Sequence, residues 1–182
     1  MAQKLLGTLR GLNKLVAILI GIVLLACAAI VLADIVLRQL GSSLGGTDEI
    51  SGYVMAIATS WGMGYTLLEL GHVRIDILRG RTGNVGRAVF DLFAMAVLSG
   101  TVTLIALQSW PVLARSLANG SRANTPLETP LALVQTPWFA GWIWFAAVAW
   151  LTFAAALILV LRGEFRQSEE AIGCFGEEET AR

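Results

Sequence analysis

The sequence predicts an all-α integral membrane protein with four transmembrane helices, and three observations support this fold class. Of the 182 residues, 56% are hydrophobic and 14% are charged, whereas a soluble domain carries about 25% charged residues. Four apolar stretches are long enough to cross roughly 30 Å of hydrocarbon. Lysine and arginine are concentrated before the first apolar stretch, between the second and third, and after the fourth, as expected for segments on one side of a membrane. The predicted membrane domain covers residues 1–162, with spans at about 15–37, 50–70, 88–113 and 138–161, followed by a polar acidic cytoplasmic tail, 163–182.

The N-terminal segment carries Lys4, Arg10 and Lys14 among leucines at helical spacing. This pattern is typical of a short amphipathic helix on the membrane surface, and equally of the first turns of span one. The apolar run continues well past Cys27, so we expect the first span to be retained and not cleaved as a signal. Cys27 and Cys174 lie in an apolar run and in the tail, which implies no disulfide framework.

The connection between the first two spans is polar and rich in glycine and serine. Asp34 and Arg38 stand at an i, i+4 spacing at the end of span one, where they can pair. Thr47 is predicted to cap the next helix, whose first turn holds Asp48 and Glu49. Those two acids fit either helix-end chemistry or contact with a partner.

Span two carries a small residue at every fourth position along one helix face. In lipid, close backbone approach through small side chains is a main route to helix association. We therefore expect this face to contact another helix, in this chain or in a partner, and leucine at Ser60 to disrupt that contact. The face comprises Gly52, Ala56, Ser60 and Gly64.

The link between spans two and three holds the single histidine of the chain, His72, among charged residues. Glu69 at a helix C-terminus needs a cation, because the helix dipole disfavours an anion there, and His72 or Arg74 is nearest. We predict that Glu69, His72, Arg74 and Asp76 form a polar knot at the cytoplasmic interface. A histidine beside an acid more often pairs structurally than relays protons. Arg74→Ala is accordingly predicted to impair complex assembly.

The second half of the chain is predicted to contain two further spans. Pro111 is expected to kink or end span three. The proline-broken stretch 115–137 is expected to lie in the interface or to form a docking surface. Span four opens with tryptophans typical of an aromatic belt. The acidic patch Glu177–Glu179 is expected to be solvated.

The distribution of basic residues predicts the topology. Three basic residues precede span one, four arginines occupy the central link and two open the tail, whereas the opposite loops hold three in total. The positive-inside rule therefore places both termini and the central link in the cytoplasm.

Several classes of chemistry are not supported by the sequence. One histidine cannot supply the paired axial ligands of a haem b, and no HExxH, CxxC, GxSxG or P-loop pattern occurs. The net charge is zero and no basic block occurs, so nucleic-acid binding is not indicated. The acids Asp34, Glu69 and Asp91 lie near span ends and not at mid-membrane, where coupled carriers place them. We predict no catalytic, substrate-binding or metal-ligating residue and no cofactor in this chain; the chain is interpreted as a helical scaffold and not an enzyme.

Several stretches resemble the small membrane subunit, DctQ type, of tripartite ATP-independent periplasmic (TRAP) transporters. They are Arg38, the pair Asp48-Glu49, Trp61-Gly62-Met63-Gly64, and above all Glu69-Leu70-Gly71-His72-Val73-Arg74-Ile75-Asp76. Thr47 departs from the pattern, since an aromatic residue usually stands there.

The resemblance implies a function that the residues alone do not. A periplasmic binding protein would deliver an organic acid, such as a dicarboxylate or sialic acid, to a large multi-span membrane subunit. That subunit would import the acid with the sodium gradient, and the sodium coupling would lie there. The small subunit would be a scaffold in the bacterial inner membrane, contacting lipid and the large subunit and, transiently, the binding protein. Arg38 and Glu49 would shape its periplasmic surface.

Two other functions remain open from the sequence. The chain could be a self-sufficient small carrier that acts as a homo-oligomer. It could instead anchor a membrane enzyme complex and bind quinone between its helices.

Overall fold

The computed structural model describes residues 2–72 and 79–173. Within these ranges the chain forms α-helices, one short 3-10 helix and no strand, apart from an isolated antiparallel bridge between Arg122 and Pro130. The helices are α1 (Ala2–Gln39), α2 (Thr47–Leu68), the 3-10 helix (Arg79–Arg81), α3 (Asn84–Asn119), α4 (Leu131–Leu161) and α5 (Phe165–Ile172).

Three of these helices, α1, α3 and α4, are long and apolar enough to cross a membrane. At 1.5 Å per residue their lengths are about 57, 54 and 46 Å, well over a hydrocarbon core of about 30 Å. Helix α2 has 22 residues and a length of about 33 Å, but it is not among the three that meet the apolarity criterion. The first, third and fourth predicted spans each lie within one helix, and the second lies in α2 except for its last two residues.

The N-terminal basic segment is part of α1. The helix starts at Ala2 without interruption, and Ala2, Leu6 and Leu9 are buried in the same apolar cluster as Leu159 and Ile172. The segment therefore forms the first turns of the helix that contains span one, and its position on the membrane surface stays a prediction. Of the N-terminal leucines, Leu6 and Leu9 are covered by the protein itself, whereas Leu5 and Leu12 are exposed.

Helices α3 and α4 form the largest helix–helix contact, and α2 packs against both α1 and α4. The face that α4 buries consists mainly of small side chains, among them Ala149, Thr152, Ala155 and Ala156. Small side chains allow helix axes to approach closely in lipid. Of α1, α3 and α4, α1 is the least covered by the rest of the chain: only 6% of its most apolar stretch is buried.

Two prolines lie inside helices and do not end them. Helix α3 continues through Pro111 to Asn119, and α4 starts at Leu131 and contains Pro137. The stretch predicted to be irregular is therefore reduced to residues 120–130. Prolines are tolerated in such helices because neighbouring groups satisfy the freed carbonyls. Beside Pro137, the indole Nε1 of Trp61 donates to the Pro137 carbonyl at 2.8 Å and so joins α2 to α4.

The predicted polar tail begins with a helix. Residues Phe165–Ile172 form α5, and its Ser168, Ala171 and Ile172 are buried. The acidic patch at 177–179 lies outside the described residues.

Candidate functional site

The bundle has two ends with different polar chemistry. At the loop end, α1 turns into α2 and α3 turns into α4. At the link end lie the start of α1, the 3-10 helix, the start of α3 and α5. Each end is organised around a buried charged side chain, Asp34 at the loop end and Arg79 at the link end.

Asp34 closes the α1–α2 hairpin at the loop end. Its side chain is 2% exposed. One oxygen accepts hydrogen bonds from Arg38 Nε (2.8 Å) and Thr47 Oγ1 (2.7 Å), and the other from the Leu44 amide (2.7 Å) and Ser43 Oγ (3.1 Å). Charge-assisted bonds of this kind are stronger than neutral ones. A single carboxylate therefore joins the end of α1, the loop and the start of α2.

Thr47 does not cap α2, contrary to expectation. It is the first helical residue, and the N-cap position is held by Gly46 (φ 71°), with no side-chain hydrogen bond to the helix. The reason is that the Thr47 hydroxyl serves Asp34, and it also accepts from Arg38 Nη2 at 3.2 Å. Arg38, predicted to lie on the outer surface, has a side chain that is 47% exposed.

Glu49 joins α2 to the loop between α3 and α4. The Tyr53 hydroxyl donates to Glu49 Oε1 at 2.6 Å. The Thr125 hydroxyl contributes most to holding the pKa of the Glu49 carboxyl below its ordinary value, and Tyr53 adds to this. Beside Glu49 opens a cavity of about 680 Å³, whose wall includes Asp48, Gly52, Tyr53, Thr125 and Pro126.

Arg79 is the centre of the link end. It is 8% exposed, and its Nε and Nη2 donate to the two oxygens of Asp91 at 2.9 and 3.0 Å. Nη2 also donates to Glu169 Oε1 at 2.6 Å. Burial lowers the pKa of the Arg79 guanidinium, but the two carboxylates outweigh burial and the net pKa is raised. The cation thus stays charged and joins the link to α3 and α5.

The predicted polar knot falls only partly on described residues. Glu69 is exposed just beyond the end of α2, and the His72 ring stacks on Phe145 of α4 with 6.1 Å between centroids. Arg74 and Asp76 lie outside the described residues. A knot among the four side chains stays a prediction.

The small-residue face of α2 divides into two parts. At the half near the link end, Ser60 lies against Gly141 of α4, where a Cβ would be 2.8 Å from that of Ser60. Gly64 lies against Asn13 of α1, where a Cβ would be 2.7 Å from Asn13 Oδ1. At the loop-end half Ala56 is half-buried and Gly52 is exposed, with open space where its Cβ would lie. Ser60 and Gly64 thus meet helices of this chain, and Gly52 does not.

Asn13 is a buried anchor that the sequence reasoning missed. It is fully buried, its Nδ2 donates to the Leu9 carbonyl at 3.0 Å, and its Oδ1 accepts from Trp144 Nε1 at 3.1 Å. The sequence does show an asparagine side chain beside a long apolar run, and a polar group that is buried there needs a hydrogen-bond partner. The triad Arg79–Asp91–Glu169 was missed as a group, although an aspartate one turn into a span was a visible signal.

The geometry of these groups is suited to holding helices together. Among residues 2–72 and 79–173 no cluster of histidine, cysteine and carboxylate side chains could hold a metal ion. Asp34 and Asp91, the two buried acids of the described helices, each pair with an arginine near a helix end. Buried pairs of this type fix one arrangement of helices, because breaking them leaves an uncompensated charge.

Comparison with known families agrees with this architecture. A family model described as "Tripartite ATP-independent periplasmic transporters, DctQ component" matches residues 27–163. The match covers α2, α3, α4, the three connections between the long helices, the Asp34 network and the Arg79–Asp91 pair. Searches of curated proteins and of solved structures gave no match. The chain belongs to the DctQ family and is the small membrane subunit of a TRAP transporter.

Proposed function

We propose that this chain is a fixed scaffold for the large membrane subunit of its transporter. The large subunit would carry out sodium-coupled uptake of an organic acid, such as a dicarboxylate or sialic acid, delivered by a periplasmic binding protein. If the large subunit carries out transport, the small subunit needs rigid helices whose ends are held in place. It needs no group that binds or moves the substrate.

The observation that carries this proposal is the placement of buried charge. Asp34 and Asp91 lie near helix ends and are neutralised by Arg38 and Arg79 at 2.6 and 2.9 Å. Coupled carriers place ionisable groups deep in the membrane, where they bind ions or protons. Acids that are tied to arginines at the ends of a bundle serve instead to hold its shape.

We further propose four spans in the bacterial inner membrane, with both termini in the cytoplasm. Helix α2 is antiparallel to α1, since Asp34 meets Thr47 at one end and Asn13 meets Gly64 further along. With a length of about 33 Å, α2 is able to cross beside α1. Its low apolarity is consistent with cover from α1 and α4, which reduces its exposure to lipid.

The loop end is the proposed periplasmic surface. Exposed Arg38 and the Glu49 cavity lie together there, between the α1–α2 loop and residues 120–130. A transient contact with a binding protein needs exposed polar groups on a rigid base. The Asp34 network and the Glu49–Tyr53 bond supply that base.

The direct test is the composition of the complex extracted gently from the native membrane. We expect a much larger multi-span subunit in stoichiometric amount. In liposomes, this chain alone should show no uptake of labelled dicarboxylates or sialic acid. The purified pair, given its binding protein and an inward sodium gradient, should transport one of them.

Two results would contradict the scaffold proposal. A homo-oligomer without the large subunit that transports by itself would establish the small-carrier alternative. A co-purifying quinone or redox cofactor with enzyme subunits would establish the anchor alternative.

A further inference from the structure

The C-terminal helix α5 covers the link end of the bundle. It packs against α3 and α4, and its Ser168, Ala171 and Ile172 are 1, 3 and 1% exposed. It follows α4 through a sharp turn at Gly163, whose φ of 75° lies in the left-handed region that favours glycine. The turn lets α5 fold back onto the bundle.

Polar contacts connect α5 to three segments that are distant in sequence. Glu169 accepts from Arg79 at 2.6 Å and lies 3.7 Å from Arg87 Nη1, which joins α5 to the 3-10 helix and to α3. Arg10 Nη2 donates to the Glu170 carbonyl at 3.2 Å, which joins α5 to the start of α1. One short helix thus holds the N-terminus, the link and α3 together.

The same contacts indicate that α5 can separate from the bundle without leaving a buried charged group unpaired. Asp91 accepts from both Nε and Nη2 of Arg79, so this cation keeps a paired carboxylate when Glu169 departs. The Glu169 side chain is 40% exposed and is solvated on release. Eight residues are also too few for a stable isolated helix, so α5 depends on its docking contacts to stay folded.

We propose that α5 is a releasable latch: docked, it fixes the central link and the start of α1, and the negative charge of Glu169 keeps it docked. Short segments at the edge of a bundle open at a lower free energy than its core. The latch is a property of the isolated chain and goes beyond the scaffold role. A test of the latch therefore does not depend on whether the scaffold proposal is correct.

Thiol labelling of the detergent-extracted full chain tests the docked state. In a Cys27→Ala, Cys174→Ser background, Ser168→Cys places a thiol at a position of α5 that is 1% exposed, with little change of volume. Arg166→Cys places one on the same helix at a side chain that is 93% exposed. We expect a maleimide to label position 168 at least tenfold more slowly than position 166.

Charge removal tests the latch itself, with a matched control one residue away. Glu169→Gln should raise the labelling rate at position 168 by about tenfold and leave position 166 within twofold. Glu170→Gln removes the same charge from the same helix, but this side chain pairs only with exposed Arg166 among the described residues. It should leave both rates unchanged.

The following outcomes would overturn the proposal. Equal labelling at positions 168 and 166 in the parent background shows that α5 is not docked. Unchanged protection in Glu169→Gln, or equal release in Glu170→Gln, removes the role of the Glu169 charge. Ser99→Cys reports on the fully buried core of α3: if Glu169→Gln also makes this thiol reactive, the whole bundle opens and α5 is not a separate latch.

Discussion

At the scale of single residues, Arg79 and Asp91 form an ion pair in which both partners are almost completely buried, whereas in the Asp34–Arg38 pair only the aspartate is. The side chains of Arg79 and Asp91 are 9 and 4% exposed, whereas Glu169 is 40% exposed. Removing one partner of a buried pair leaves the other charge uncompensated, which costs about 3–5 kcal/mol. Loss of a partly exposed partner costs much less, because water replaces it.

Asp91→Ala should therefore destabilise the protein far more than Glu169→Gln. We expect a loss of about 3 kcal/mol for Asp91→Ala, at the low end for a broken buried pair because Arg79 keeps the partly exposed Glu169 as a partner; it is seen as a large drop in Tm of the purified protein in detergent. The double variant Arg79→Met, Asp91→Leu serves as the control, since it removes both charges and should regain most of the loss. A Tm for Asp91→Ala close to that of the parent would show that the pair does not hold the link end.

The residues of these centres were visible in the sequence, but their partners were not. Asp34 and Arg38 were predicted to pair from their i, i+4 spacing, and they do. The further bonds of Asp34 to Ser43, Leu44 and Thr47 depend on how the loop folds back, which spacing does not encode. Glu169 reaches Arg79 across 90 positions, a contact that only the tertiary packing of α5 creates.

At the scale of elements, helix contacts are decided by the few positions where backbones come close. Gly64 and Gly62 lie two residues apart on α2. A Cβ at Gly64 would meet Asn13 Oδ1 at 2.7 Å, whereas one at Gly62 would meet nothing within 4 Å. Two glycines of one helix therefore have different tolerance for a methyl group.

Gly64→Ala should destabilise the bundle by about 1–3 kcal/mol, as expected for an overpacked contact. Gly62→Ala should be neutral or should stabilise the helix by up to about 1 kcal/mol. Thermal unfolding of the two purified variants in the same detergent measures the difference. Equal Tm values would mean that α1 and α2 do not meet at Asn13.

The α1–α2 hairpin should depend on Asp34. Asp34→Ala removes the acceptor of the Leu44 amide, so we expect hydrogen exchange at that amide to accelerate by at least tenfold. Ser42→Ala is the control, because Ser42 is exposed in the same loop and its side chain makes no described bond to Asp34. Unchanged exchange at Leu44 in Asp34→Ala would contradict the role of the carboxylate in holding the loop.

Periodicity and apolar length predicted where the four long helices lie, but not their ends. Pro111 was expected to kink or end a helix that continues eight residues further. The N-terminal leucines suggested a surface helix because a pattern of apolar positions does not say whether lipid or protein covers them. The α5 helix was missed because its segment is short and polar, and only its buried Ala171 and Ile172 mark the contact.

At the scale of the whole molecule, the number of crossings depends on α2. Helices α1, α3 and α4 are long and apolar enough to cross a membrane, whereas α2 is long enough but less apolar. If α2 crosses, the loop after α1 and the link before α3 lie on opposite sides of the membrane. If it does not, they lie on the same side.

Single cysteines placed in the connections decide between these topologies. In the Cys27→Ala, Cys174→Ser background, an impermeant maleimide applied to intact spheroplasts should label Ser42→Cys and Asn124→Cys. It should label Arg81→Cys only after the membrane is opened. All three positions are exposed, so access to the side chain does not limit labelling. Equal labelling of positions 42 and 81 in intact spheroplasts would contradict four spans.

The unequal lengths of the helices have a consequence for the lipid that surrounds the protein. Helices of about 46–57 Å are long enough to span the hydrocarbon core of a thicker bilayer, and they can tilt in a thinner one. Helix α2, at about 33 Å, has almost no reserve over an average hydrocarbon core. Hydrophobic mismatch costs a fraction of a kcal/mol per Å, and here it would fall on this one helix and on the polar groups at Thr47 and Glu69. If α2 crosses as proposed, the protein should therefore tolerate thin bilayers better than thick ones, and α2 should set the limit.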